Sequence, residues 1–161
     1  MGAAARGSAR EGGLPTSLSG PLVVVDTSVV IAHLTALSVS TPSGRIMHAC
    51  GAGSLRVALS DAYLRELFEV VTRPNVESQI KSASRAFVTA TDLWIHGTLY
   101  HPMRIDWPTV VNLEDHWVLD LAWAAEADFI ITLDSHLTQP TMPFPVEVVE
   151  PVDLLARLPG I

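Results

Sequence analysis

The sequence predicts an α/β protein: a three-layer sandwich with a central parallel sheet and helices on both faces. Three observations lead there. Short apolar runs rich in β-branched residues alternate with segments of helical periodicity. The runs are continuous rather than alternating, as strands buried on both faces are. Two of them end in an aspartate, Asp26 and Asp134, and in open parallel sheets the ligand site lies outside the carboxyl ends of the strands.

The elements follow in order. Residues 1–20 are mostly Gly, Ala, Ser and Arg with two leucines. They bury too little apolar surface to offset their ordering entropy, so a disordered tail is expected ahead of one domain over 21–161. A first strand over 22–25 ends at Asp26 and turns into a helix through Ser28 and Val29. A second strand over 55–59 precedes Ser60, which caps a helix over 61–72 stopped by Pro74. Ile80, Ala83, Phe87, Ala90, Leu93 and Trp94 are spaced by threes and fours, predicting an amphipathic helix over 78–96. Another helix covers 115–125, and a buried strand over 129–133 delivers Asp134. A strand over 146–149 and a helix over 151–158 close the domain.

Composition removes several functions. The chain is 48% apolar, yet it has no run of about 18 uninterrupted apolar residues, so no membrane span is expected. Ten basic residues against seventeen acidic ones give a net charge of −7. That field repels phosphate, which excludes bulk nucleic-acid coating and requires any nucleic acid to be met by local contacts. Cys50 is the single cysteine; it allows neither an intrachain disulfide nor a thiolate zinc cage and fits a reducing compartment, the cytoplasm. No secretory apolar stretch precedes Leu22.

The chemistry rests on carboxylates. If the strands ending at Asp26 and Asp134 are neighbours, their side chains meet, and two further acids can join them. Glu66 follows Ser60 by six residues, with Leu64, Leu67 and Phe68 available to anchor its helix. Asp115 opens the next helix, where the positive helix end favours an acid. Glu69 rivals Glu66, and Glu114 and Asp120 rival Asp115; Asp120 lies about 140° round the helix from Asp115. Carboxylates about 5 Å apart repel by about 3 kcal/mol per pair at an effective dielectric of 20. A cation or shared protons must intervene. With only oxygen donors, the ion is hard Mg²⁺ or Mn²⁺. His116 and His136 each lie within two residues of a proposed acid, and Arg65 is beside Glu66. All three are candidates to position substrate or water. Asp128 reads as a turn residue, and Trp117 and Trp123 as packing residues on an Ala- and Leu-rich helix.

The segments VVVDTSVV, LSDAYLRELFEVVTRP, EDHWVLDLAWAAEADFIITLDSHL and VEVVEPVDLL resemble the PIN-domain family, and in particular the toxin components of bacterial toxin–antitoxin modules. The resemblance spans about residues 22–158. It implies that Asp26, Glu66, Asp115 and Asp134 match the family's acidic quartet, and that Ser28 stands where a small polar residue positions the first acid or water. It further implies a Mg²⁺- or Mn²⁺-dependent ribonuclease, a homodimer, and neutralisation by a small antitoxin. His116 stands where relatives often carry Asp or Asn.

Three functions compete. The first is a metal-dependent endoribonuclease cutting single-stranded RNA as a toxin. The second is a catalytically degenerate PIN fold serving as a binding or scaffold module, suggested by the acidic charge and sparse basic residues. The third, a phosphatase using Asp26 as nucleophile, lacks the acid two residues on, because Ser28 is there.

Overall fold

The computed structural model describes residues 20–107, 116–138 and 141–161. The expected tail, apart from Gly20, lies outside the described residues, as do Glu114 and Asp115.

Among the described residues five short strands form one sheet in the order β3-β2-β1-β4-β5, every pair parallel. They are β1 (Leu22–Val25), β2 (Arg56–Leu59), β3 (Gly97–Leu99), β4 (Phe129–Ile131) and β5 (Glu147–Val149). The central strand β1 is Leu-Val-Val-Val and wholly buried, which is why its sequence carries no alternation. β1 pairs with β4 through Val23 and Phe129, Val24 and Ile130, and Val25 and Ile131. That register places Asp26 opposite Thr132, and the Asp26 N–H donates to the Ile131 carbonyl at 2.9 Å.

Among the described residues eight helices surround the strands: α1 (Thr27–Thr35), α2 (Pro42–Gly51), α3 (Asp61–Val71), α4 (Pro74–Glu77), α5 (Ala83–His96), α6 (His116–Ala125), α7 (Ser135–Thr138) and α8 (Pro151–Arg157). They flank the sheet, giving the expected α/β sandwich. α6 packs on β1, β2 and β4, whereas α5 packs on β2 and β3, and α2 joins α1, α5 and α8. Local chemistry sets several starts. Ser60 accepts the Tyr63 N–H at 3.1 Å, Thr41 accepts the Gly44 N–H at 3.1 Å and Ser82 accepts the Arg85 N–H at 3.2 Å.

The Ser82 cap shortens one expected helix. α5 begins at Ala83 instead of residue 78, and Ile80 lies in the turn before it, still packed against the core. Four elements, α2, α4, β3 and α7, carry too little pattern to be anticipated. α2 opens with Pro-Ser-Gly and buries Ser43 and Gly44 as well as Ile46 and Met47. A Cβ on Gly44 would stand 2.1 Å from the Val39 carbonyl oxygen, so glycine permits that approach. β3 is three residues, Gly-Thr-Leu, and α7 is four. β4 ends at Ile131 rather than 133, leaving Leu133 exposed and Asp134 three residues beyond the strand.

Candidate active site

Asp26 occupies the N-cap position of α1, where an aspartate most often bonds the first free N–H groups of the helix. Its side chain makes no such bond. Instead Oδ2 accepts the Ser28 hydroxyl at 2.5 Å and the Thr132 hydroxyl at 2.8 Å. Each hydroxyl is itself held by the chain that follows β4. Ser28 Oγ accepts the Leu133 N–H at 3.1 Å, and Thr132 Oγ1 accepts the Asp134 N–H at 2.9 Å. Both protons are therefore aimed at Asp26. The carboxylate is only 7% exposed, and two donated hydrogen bonds offset part of the cost of burying its charge.

Asp134 joins the same network through its backbone N–H and is half-buried. Its Oδ1 accepts the His136 N–H at 2.8 Å, which turns the chain into α7. The expectation that two strand ends bring Asp26 and Asp134 together thus rests on β1 and β4 being neighbours, as they are. Thr132 was missed as a site residue. Its signal was the Thr-x-Asp ending after an apolar strand.

Glu66 lies on the second turn of α3 and is half-buried, whereas Glu69 is exposed. α3 packs against α1 and α6. The anchoring residue is Tyr63, fully buried with its ring centroid 5.3 Å from that of Trp117. Leu64 and Leu67 pack partly, but Phe68 is 68% exposed, so it does not anchor the helix as expected. The Tyr63 hydroxyl is buried and has no hydrogen-bond partner among the described residues. Burial, reinforced by nearby Cys50 and Asp26, pushes its pKa up.

The rival acids have other work. Asp120 is buried and its Oδ1 accepts the Ile105 N–H at 3.1 Å and the Trp107 indole N–H at 2.8 Å. Asp128 accepts the Leu22 N–H at 2.8 Å, the turn role its position before a strand suggested. His116 is buried, while His136 and Arg65 are exposed. Trp123 packs in an aromatic cluster, 6.3 Å from Trp107 and 5.3 Å from Phe144 between ring centroids.

The family model described as a PIN domain matches residues 22–136. The chain belongs to the PIN-domain family. Among curated proteins none matches.

PIN domains are generally nucleases, and they typically use divalent metal ions. The donor chemistry here fits such an ion: Asp26 and Asp134 are carboxylates at the carboxyl ends of adjacent strands, and hard divalent cations take oxygen ligands. Among the described residues no group of three or more His, Cys, Asp or Glu side chains is placed to hold a metal. Asp115, the third acid the sequence offers, lies outside them. No helix among the described residues is long and apolar enough to cross a membrane.

Proposed function

We propose that this PIN domain is a Mg²⁺- or Mn²⁺-dependent endoribonuclease that hydrolyses phosphodiester bonds of single-stranded RNA, acting as the toxin of a toxin–antitoxin pair in the cytoplasm. The observation that carries the reading is the Asp26 carboxylate. It is buried, spared from helix capping, and held by Ser28 and Thr132 in one network with Asp134. A folded chain that spends two hydroxyls to keep a carboxylate in place beside another acid is organised for cation chemistry rather than for packing.

In this reading Asp26, Asp134 and Asp115 hold the metal, with Glu66 holding a second ion or orienting the attacking water. When bound, the metal supplies charge stabilisation of the phosphoryl oxygens and activation of that water. The protein's part is orientation. Ser28 and Thr132 lock the Asp26 rotamer, and the Asp134 side chain is held by the His136 N–H of α7. In the same reading Arg65, exposed one residue from Glu66, meets backbone phosphate, and the exposed His136 contacts substrate or water beside Asp134. His116, buried at the start of α6, acts from the interior by positioning.

The test is cleavage of single-stranded RNA in Mn²⁺ by the wild type and by Asp26→Asn. The variant should lose at least about a hundredfold, the scale of removing an electrostatic stabiliser from a transition state. Equal activity in the two proteins overturns the proposal. The second reading, a degenerate PIN fold serving as a scaffold, is favoured by the net charge of −7 and the sparse basic residues. Saturating Mn²⁺ separates them: at 100 times its dissociation constant it stabilises a metal-binding PIN domain by about 2.7 kcal/mol, and it leaves the melting temperature of a degenerate one unchanged.

A homodimer and a small antitoxin belong to the same proposal. Phe87 (73% exposed), Trp94 (71%) and Ile95 (65%) on α5 leave apolar surface open to a partner. Light scattering on the isolated chain should return twice the 17.3 kDa chain mass. A monomer at micromolar concentration rejects the dimer. A chain that is soluble and fully active alone in its own cell rejects the antitoxin.

A further inference from the structure

The strand register lays out the carboxyl edge of the sheet residue by residue. Val57 lies beside Val23 and Gly97, Leu59 beside Leu99, and Ile131 beside Val25 and Val149. The first residues past the strands therefore form one row, Tyr100, Ser60, Asp26, Thr132 and Glu150, in the order β3-β2-β1-β4-β5. Strands stand about 4.8 Å apart, so Tyr100 leaves the sheet roughly 10 Å from Asp26. The two ends of the row differ in charge. Beyond β5 come the exposed carboxylates Glu150 and Asp153, and the first cation after them, Arg157, is paired with Glu147. Beyond β3 come His101, Met103 and Arg104, all exposed. Between the ends, exposed Asp61 and Arg65 on α3 offset each other in charge.

The segment after β3 is anchored at both ends. The Tyr100 N–H donates to the Leu59 carbonyl at 2.8 Å, which extends the β2–β3 ladder by one bond. At the other end Asp120, buried on α6, accepts the Ile105 N–H at 3.1 Å and the Trp107 indole N–H at 2.8 Å. Residues 101–104 span the two anchors, with Met103 83% exposed. His101 and Arg104 make no hydrogen bond or ion pair among the described residues, and exposed Asp106 lies past the Ile105 anchor. An imidazole ring and a guanidinium are groups that single-stranded RNA engages, since unpaired bases stack on the ring and phosphate meets the fork. A backbone already set in place lowers the ordering cost of such binding.

We propose that this segment is an RNA subsite of the candidate active site: the strand lies across the end of β2 from the acids to β3, an unpaired base stacks on His101, and Arg104 meets the phosphate next to it. Glu150 and Asp153 disfavour the opposite path over β5 by repelling phosphate. What the subsite serves rests on the ribonuclease reading, but its occupancy is measured without cleavage.

Fluorescence anisotropy of a dye-labelled single-stranded RNA of about ten nucleotides, titrated with the full chain in EDTA, reads binding without cutting. The wild type should bind saturably and prefer this strand to the same RNA in a duplex, whose paired bases cannot stack on a side chain. His101→Ala should weaken binding about fivefold or more. Arg104→Gln should weaken it about three- to fivefold and lower the slope of log affinity against log salt by about 0.7, the share of one phosphate on a single strand. Lys81→Gln removes an exposed cation beside Leu34, at the far end of α1 from Asp26, and should change neither. Absence of saturable binding overturns the proposal. So does equal affinity for the duplex, wild-type affinity in either His101→Ala or Arg104→Gln, or a loss in Lys81→Gln as large as in Arg104→Gln. Cleavage in Mn²⁺ keeps the two questions apart. A chain that binds in this way yet cuts nothing loses the ribonuclease reading and keeps the subsite, whereas one that cuts RNA while its variants bind as the wild type does keeps the nuclease and loses the subsite.

Discussion

Thr132 does two jobs with one hydroxyl: it donates to Asp26 Oδ2 and accepts the Asp134 N–H. Thr132→Val keeps the shape and removes both bonds in a fully buried place. It should cost about 1–3 kcal/mol, read as a lower urea midpoint at unchanged m-value, and RNA cleavage should fall with it. Ser28→Ala should show the same pattern more weakly, because Ser28 is half-buried and water can replace its hydroxyl. Cys50 makes a contrasting case. Burial pushes its thiol up to about 12, so at pH 8 only about one molecule in ten thousand carries a thiolate. Iodoacetamide should modify it at the rate of global unfolding, and rapid alkylation of the native protein would refute this burial. Asp26 shows how far a single residue could be read from sequence. A strand-ending aspartate before Thr-Ser fits both a cap and a ligand, and only the donors that reach its Oδ2 separate the two.

At the scale of elements, legibility followed hydrophobic length. β1, β2, α3, α6, β4, β5 and α8 were anticipated to within a few residues because each carries a continuous apolar run or a cap followed by helical spacing. α2 and β3 were not, since both depend on close approach by glycine instead of on apolar pattern. A Cβ on Gly97, at the start of β3, would stand 2.3 Å from Leu59 Cδ1 and 2.4 Å from the Leu93 carbonyl oxygen. Gly97→Ala should therefore cost about 1–3 kcal/mol by overpacking, and hydrogen exchange should quicken first in β3. The end of α6 offers the opposite opportunity. Glu126 is exposed with φ +50°, a left-handed conformation that disfavours side chains. Glu126→Gly should stabilise the protein by about 0.5–1 kcal/mol, measured by thermal unfolding. The site itself was half legible. The spacing of apolar strands announced that Asp26 and Asp134 lie at neighbouring strand ends, and the Ser60 spacing favoured Glu66 over Glu69; that Glu66 is half-buried and Glu69 exposed follows from the rotation of α3 about the buried Tyr63, which the sequence does not fix.

For the whole molecule, three buried groups set a stability plateau. The His33 pKa is lowered from 6.5, so the folded state prefers the neutral ring. Its contribution is present above that value and is lost as pH falls below it. Cys50 is raised from 9.0 and Tyr63 from 10.0, so their contributions are present below those values and are lost as pH climbs beyond about 9. Urea midpoints should stay level between these limits and drop at pH 5 and at pH 10.5. A midpoint that keeps rising through pH 10 would contradict the burial of both groups. The central pairing of β1 with β4 has a consequence in time. Asp26 and Thr132 are 106 residues apart in the chain, and contacts of such separation form late. A ribosome making this protein thus exposes the first acid long before its companions exist. The growing polypeptide cannot assemble this acidic pair until its last third has emerged and docked, a delay built into strand order alone.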